Sequence, residues 1–408
     1  MSGAQETLDR LLRQAAYWLL VGLALAVPSL NQPTKLMAVL LLLAVVLRLP
    51  LRGGALPRAF DGYDYVLLAI VFASLLSSTF GLSSSGRYQG LAEALSQLVA
   101  FVAIRHGDYS REQLRLLGMA LVTGAVAASA LAFRTYVVDG LWPIYLPAVS
   151  GSIRSSLYVG IALLLAVGLL LEERGSVRWT LLAGTLFLGG TLLAMTSRGV
   201  ILAVMAVLIL ALMVRYRRRT VLPLAVVIAA LVIGYFAIPS AFVKERVDRK
   251  ANEMVELVSS GTISDNDQYR IDHWRVALAW IRTGDHWLFG IGPRNMISID
   301  AEKLRIDPPL AFPDETRHPN HAHNMYLTKY IEEGAVGLAA MLTLFVLVGW
   351  RLVRDARSQQ VGWGWWAALG GLLLPCISGM VNSPWFREYA WLAVITFALY
   401  LAAPPVRR

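Results

Sequence analysis

One cysteine, Cys376, stands in 408 residues, inside an apolar stretch. No intrachain disulfide can form around it, and a thiolate zinc cluster and paired-thiol redox chemistry are excluded. Charge is scarce as well: charged residues make up 16% of the chain against 57% hydrophobic, and the mean hydropathy is +0.57, a balance foreign to soluble domains. The chain has no glycine-rich phosphate loop and no Rossmann-like alternation of strands and helices, so a nucleotide-sugar or ATP site has no support. Energy for any reaction is expected to arrive already in the substrate. Solenoid repeats and low-complexity linkers are missing too. The first apolar stretch outruns a signal-peptide core and no small-residue cleavage site follows it, so it is expected to stay as a membrane anchor.

What is there is a succession of apolar runs. A spanning helix needs roughly 20 such residues, and runs bounded by charge or Gly/Pro clusters fall at 15–31, 35–50, 63–80, 89–104, 114–133, 154–171, 178–195, 199–214, 220–238, 324–349, 362–381 and 388–404. The expectation is an all-α polytopic membrane protein with about twelve transmembrane helices and one large, partly helical outer loop before the tenth span. Its parts would be an amphipathic cytoplasmic segment at 1–14, spans one to nine within 15–238, the loop domain at 239–323, spans ten to twelve within 324–404, and a cytoplasmic tail at 405–408. The run at 89–104 is interrupted by Glu93, Ser96 and Gln97, which should face protein rather than lipid. Leu8, Leu11 and Leu12 recur at helical spacing among charges and suggest a short helix lying on the cytoplasmic leaflet.

The balance of 37 Lys+Arg against 27 Asp+Glu follows the topology. With both termini inside, nineteen arginines fall on cytoplasmic segments, among them Arg48, Arg105, Arg111, Arg351 and the run Arg215–Arg219. The short outer connections carry six basic residues: Lys35, Arg87, Arg134, Arg154, Arg198 and Arg387. That is the positive-inside pattern, and it replaces nucleic acid with membrane lipids as the partner of this charge.

Chemistry is expected in the outer loop and at the span ends beside it. Ser264, Asp265 and Asp267 are N-cap candidates for a helix in which Ile271, Trp274, Leu278 and Ile281 recur at i, i+3, i+7 and i+10; that stripe should lie on the membrane domain or in the interface. Gly284 then ends the helix, and the segment at 289–295, FGIGPRN, reads as a turn. Arg198, in Thr196-Ser197-Arg198-Gly199, must either snorkel or meet a partner. Arg270, on the loop helix, reads alone as a surface arginine. His318, His321 and His323 fall within six residues at the mouth of the tenth span. Their spacing suits an extended pair and no HExxH pattern is present, so no metal is expected, whereas a neutral histidine suits a general base for a hydroxyl. Asp265-Asn266-Asp267 matches a weak D-x-D pattern that helix capping also explains.

Three pieces in order resemble the O-antigen ligase and polymerase superfamily, and within it the O-antigen ligases. They are Thr196-Ser197-Arg198-Gly199; Tyr269-Arg270-Ile271-Asp272-His273-Trp274 leading to Phe289-Gly290-Ile291-Gly292; and His323-Asn324 followed by Gly334 and Gly337. The resemblance implies a glycosyltransferase of the bacterial inner membrane. Such an enzyme moves O-antigen from undecaprenyl pyrophosphate to lipid A-core on the periplasmic face, without cofactor, and the loop at 239–323 would be periplasmic. By resemblance Arg198 and Arg270 would hold the pyrophosphate and His323 would take the acceptor proton. Further candidates are His321, Arg154, Arg87 and Arg387, and Tyr326 one turn beyond His323; anchoring or packing explains the last four equally well. A polymerase using the same donor, and a lipid-linked glycan transporter, are the alternatives.

Overall fold

The computed structural model describes residues 3–29, 31–51, 59–82, 88–139, 144–149, 151–195, 197–214, 265–358, 360–382 and 387–403. Within them the chain is helical, without strands: α1 (Gly3–Ala26), α2 (Asn31–Leu51), α3 (Gly62–Phe80), α4 (Gln89–Arg105), α5 (Arg111–Asp139), α6 (Ser152–Glu172), α7 (Ser176–Ala194), α8 (Arg198–Val214), α9 (Asp265–Thr283), α10 (Pro313–Thr316), α11 (Met325–Arg357), α12 (Trp363–Ser378) and α13 (Arg387–Ala402). Among the described residues five helices are long and apolar enough to cross a membrane, and four shorter apolar stretches accompany them at Leu36–Leu51, Gly199–Ala211, Trp363–Ser378 and Ala390–Ala402. The chain is therefore consistent with a polytopic membrane protein. The expected ninth span at 220–238, the basic run at 215–219 and the first part of the outer loop lie outside the described residues.

α6 is the central post. It packs against α5, α7, α8, α12 and α13, and its stretch from Leu157 to Leu170 is buried throughout. Lipid tails are as apolar as leucine, so close fit rather than water exclusion holds such a bundle. The outside is correspondingly greasy: Leu36, Val39 and Leu43 on α2, Phe72 on α3, Leu202 on α8 and Val346 on α11 are exposed. One expectation changes and a second holds. The amphipathic start is not a separate surface helix, because α1 runs unbroken from Gly3 to Ala26 and Asp9 on it pairs with Arg48 of α2 at 3.0 Å. On α4, Gln97 is buried and Glu93 is met by Arg294 from the loop, which explains how polar residues fit in that helix.

One end of the bundle gathers the arginines. Arg105 meets Asp61 and, at 3.1 Å, Asp64; Arg111 meets Glu172 at 3.1 Å and Arg115 meets Glu173 at 2.8 Å. The starts of α6 and α11 lie at the opposite end, beside the outer loop.

α11 carries the main departure from regular helix. Gly334 has φ +69 and ψ −170, so the helix breaks there into an upper limb, Met325–Glu333, and a lower limb that follows. The FGIG segment fills the break. Ile291 N–H bonds the Ile331 carbonyl and Gly292 N–H the Glu332 carbonyl, both at 2.9 Å, while Ala335 N–H reaches Trp287 O at 2.8 Å and Val336 N–H reaches Leu288 O at 3.3 Å. The end of α3 joins in through Leu82 N–H to Ile291 O at 3.0 Å and Ser77 Oγ to Glu332 O. Backbone groups that the break frees are thus paired again, as a low-dielectric setting requires.

Candidate active site

α9 sits over the upper limb of α11. Acidic Asp265 and Asp267 occupy its first turn, where the helix dipole favours them, and Gly284 at φ +76 ends it. Its buried side is not the expected stripe: Asp272, His273, Val276 and Ala277 are buried, whereas Leu278 is exposed and Ile271, Trp274 and Ile281 are half-buried. Polar anchors decide the orientation. Asp272 accepts from Phe312 N–H at 2.9 Å and from Gln268 Nε2 at 3.1 Å, and Arg275 donates to the carbonyls of Pro308 and, at 3.3 Å, Pro309. Beneath them Val276 and Ala277 share a small core with Ile291, Met296, Ile299, Ala322 and Ile331. That core joins the loop to the helix that follows it.

The histidine segment is held from both sides. Asn324 caps α11, its Oδ1 accepting from Tyr326 N–H at 2.9 Å and Leu327 N–H at 3.0 Å, while its Nδ2 donates to Met380 O at 2.9 Å. Met325 N–H bonds Gly379 O at 2.7 Å, so the end of α12 and the start of α11 are tied together. Ahead of the cap, Ala322 N–H bonds Thr328 Oγ1 at 3.1 Å. His323 between them has φ +49, a left-handed conformation that costs a non-glycine residue about 1 kcal/mol or more and that clusters at functional sites.

This geometry stacks three imidazoles. The His323 ring lies 4.3 Å from that of His321 and 5.0 Å, edge to face, from that of His273; Tyr269 stands 5.8 Å from His323 and 4.3 Å from His273. His273 Nδ1 is 2.9 Å from the Tyr269 carbonyl. A carbonyl only accepts, so Nδ1 carries the proton and Nε2 keeps its lone pair. Burial pushes all three rings towards the neutral form, His323 to about 3 and His321 to about 4; the neighbouring histidines and Arg270 add to the effect at His323, and Arg154 at His321. At neutral pH the cluster is uncharged, with cationic Arg270 and Arg154 beside it. Arg270 is half-buried, and among the described carboxylates it pairs with Asp267, at 3.5 Å. Among the described residues no group of three or more His, Cys, Asp or Glu side chains is arranged to hold a metal ion.

Of the residues singled out in the sequence, His321, His323, Arg270 and Arg154 come together. Arg198 begins α8; Gly160 of α6 lies against Val200 and Val204, which brings that start to the same end of the bundle as Arg154. The Arg198 side chain lies outside the described residues, as do Arg87 and the side chain of Arg387 at the start of α13. Tyr326 turns away, its hydroxyl donating to Cys376 O on α12 at 3.2 Å. His318 is spent on Ile299 O at 3.1 Å. Its place in the cluster is taken by His273, which sequence reasoning quoted within a motif without weighing it. The signal was available: Tyr269, Arg270 and His273 fall at i, i+1 and i+4, one face of a helix. Lys329, Glu332 and Glu333 were also passed over; all three are buried in the upper limb, Lys329 meeting Glu333 at 2.5 Å.

Residues 183–342 match the family model described as O-antigen ligase, a segment that runs from α7 through α9 and the histidine cluster to the middle of α11. The match is consistent with a member of the O-antigen ligase and polymerase superfamily and supports an enzyme of the glycosyltransferase type. No curated protein matches the chain.

Proposed function

With the O-antigen ligase match as premise, we propose that this protein transfers O-antigen polysaccharide from undecaprenyl pyrophosphate to lipid A-core on the periplasmic face of the inner membrane. The observation that carries the reading is the meeting of uncharged, half-buried imidazoles with arginines at the mouth of α11. In the reaction an acceptor hydroxyl attacks the anomeric carbon. The oxygen–carbon bond forms as the bond to the pyrophosphate oxygen breaks, undecaprenyl pyrophosphate leaves with the electron pair, and the hydroxyl proton passes to His323. A single displacement of this kind inverts the anomeric centre.

The arginines supply what the leaving group needs. Guanidinium forks bind phosphate oxygens bidentately and stay charged at every relevant pH, so Arg270, Arg198 and Arg154 would neutralise the charge that gathers on the pyrophosphate. Fixed cations then do what a divalent ion does in other phosphate chemistry. Donor binding also acts on the base. Burial does most to hold His323 neutral and Arg270 adds least; a bound pyrophosphate would offset that arginine and return part of the ring's basicity.

The test uses purified protein in nanodiscs with undecaprenyl-pyrophosphate-linked O-antigen and lipid A-core, without nucleotide. A shifted lipid A-core band is expected, falling about 10² to 10⁴-fold with His323→Ala, the range for a lost general base. Transfer should persist in EDTA. Undiminished transfer by the variant would remove His323 from the mechanism, and longer chains built on the donor alone would assign a polymerase.

A further inference from the structure

At the arginine-rich end of the bundle, far from the histidines, the start of α5, the ends of α6, α11 and α13 and the start of α12 enclose a cavity of about 230 Å³. Its charged lining is three arginines, Arg111, Arg351 and Arg354, against two acids, Glu172 and Asp355. Both acids are already engaged. Glu172 accepts from Arg111 at 3.1 Å and from Trp363 N–H at 2.7 Å. Asp355 accepts from the Tyr400 hydroxyl at 2.7 Å and lies 3.6 Å from Arg351 Nε and 3.6 Å from Arg354 Nε, beyond hydrogen-bonding distance. Among the described residues Arg351 Nε is buried without a hydrogen-bond partner, and Arg354 is 63% exposed at the rim. The lining thus carries one more guanidinium than carboxylates.

The depth of the cavity says which anion is at hand. Trp350, next to Arg351, is 70% exposed, and Trp179, near the start of α7 at the same end, is 71% exposed. Exposed tryptophans of this kind mark the headgroup level of a bilayer. Basic pockets between membrane helices at that level bind lipid phosphates.

We propose that this cavity binds the phosphate of an anionic phospholipid headgroup, held by Arg351 and Arg354 in the leaflet at the arginine-rich end. The phosphate would accept from Arg351 Nε, which faces Asp355 at 3.6 Å without a hydrogen bond, and draw the exposed Arg354 fork over the opening. Lipid would then pin the ends of α11, α12 and α13 to one another. The site is separate from the transfer chemistry and stands whether or not that reading does.

The experiment is a thermal-shift titration of the full chain in detergent, followed by tryptophan fluorescence, with phosphatidylglycerol, phosphatidylcholine or inorganic phosphate added. Phosphatidylglycerol is expected to raise the Tm above the matched phosphatidylcholine sample, with inorganic phosphate giving no comparable rise. Arg354→Gln, a change at an exposed side chain, should raise the half-maximal lipid concentration about tenfold, as loss of a charged hydrogen bond implies. Arg351→Gln combined with Arg354→Gln should abolish the difference between the two lipids; should that pair fail to fold, the single variant decides. Equal responses to the two lipids, or an unchanged titration in Arg354→Gln, would overturn the proposal. A full shift from millimolar inorganic phosphate would assign a soluble anion instead.

Discussion

Replacing Gly334 by alanine tests whether the broken helix holds the site in place. Its φ of +69 with ψ of −170 lies in a region of backbone space that glycine alone occupies readily. An alanine Cβ there would sit 2.2 Å from Leu288 O and 2.5 Å from Phe289 N, both backbone atoms that cannot swing aside. The conformation itself costs about 1–3 kcal/mol. Relief of the clash requires the segment at 287–292 to part from the helix, which forfeits the four backbone hydrogen bonds that fill the break, each worth about 1 kcal/mol net. Gly334→Ala should therefore lose about 5 kcal/mol or more. The assay is a Tm at fixed scan rate in detergent, with limited proteolysis across 284–292 and the gel assay of transfer in parallel. A fall of several degrees, new cleavage in that segment and lost transfer are expected. Gly190→Ala is the control, because a Cβ there meets no atom of the described residues within 4 Å and alanine favours helix. If Gly334→Ala melts with Gly190→Ala and resists protease equally, the break does not hold the site in place.

Arg270→Lys keeps the charge and loses the fork, so kcat/KM should fall about tenfold, and by about 10² to 10³-fold in Arg270→Gln. Neither should move the Tm by more than a degree or so, since the pair with Asp267 is long, at 3.5 Å, and reached by solvent on both sides. His321 and His323 titrate near 4 and 3 in the folded chain and near 6.5 unfolded. The unfolded chain binds more protons between these values, so stability is complete above about pH 6.5 and declines as pH falls towards 4. A Tm series from pH 7.5 to 5 should show that decline, and His323→Asn should flatten it. Lys329→Met leaves the buried Glu333 carboxylate without its cation and should cost about 3–5 kcal/mol, with most of the Tm regained in Lys329→Met combined with Glu333→Leu.

Long apolar runs ending in charge made α3, α4 and α6 to α8 readable to within a few residues, because in a bilayer the apolar length of a helix is itself the constraint; α5 runs on to Asp139, beyond the expected end at 133. α9 and its stop at Gly284 followed from caps and a glycine, but its buried side did not. Hydrophobic periodicity points Ile271 and Leu278 inward, while Asp272 and Arg275 find fixed partners in the Pro308–Phe312 stretch that no local pattern announces. Gly334 stood out in the sequence only by its spacing from His323. Its conformation depends on Leu288 and Phe289, more than forty positions away, and such pairing leaves no periodic trace. His273 was overlooked for a related reason: its importance comes from meeting His323, which belongs to another element.

The break at Gly334 also divides labour along α11. The lower limb, 335–357, is 23 residues long, or roughly 34 Å at 1.5 Å per residue, enough to cross the hydrocarbon core alone. The upper limb, Met325–Glu333, is then free of any spanning duty and can hold Lys329, Glu332 and Glu333, which a lipid-facing helix would not tolerate. A bilayer that thickens or thins would strain the lower limb, and the backbone hydrogen bonds that brace the break would take up that strain. The histidine platform, tied to α12 and α9 by its own hydrogen bonds, would keep its height above the lipid. In a reaction whose donor is anchored by a hydrocarbon tail, that separation lets one helix serve as both mooring and bench.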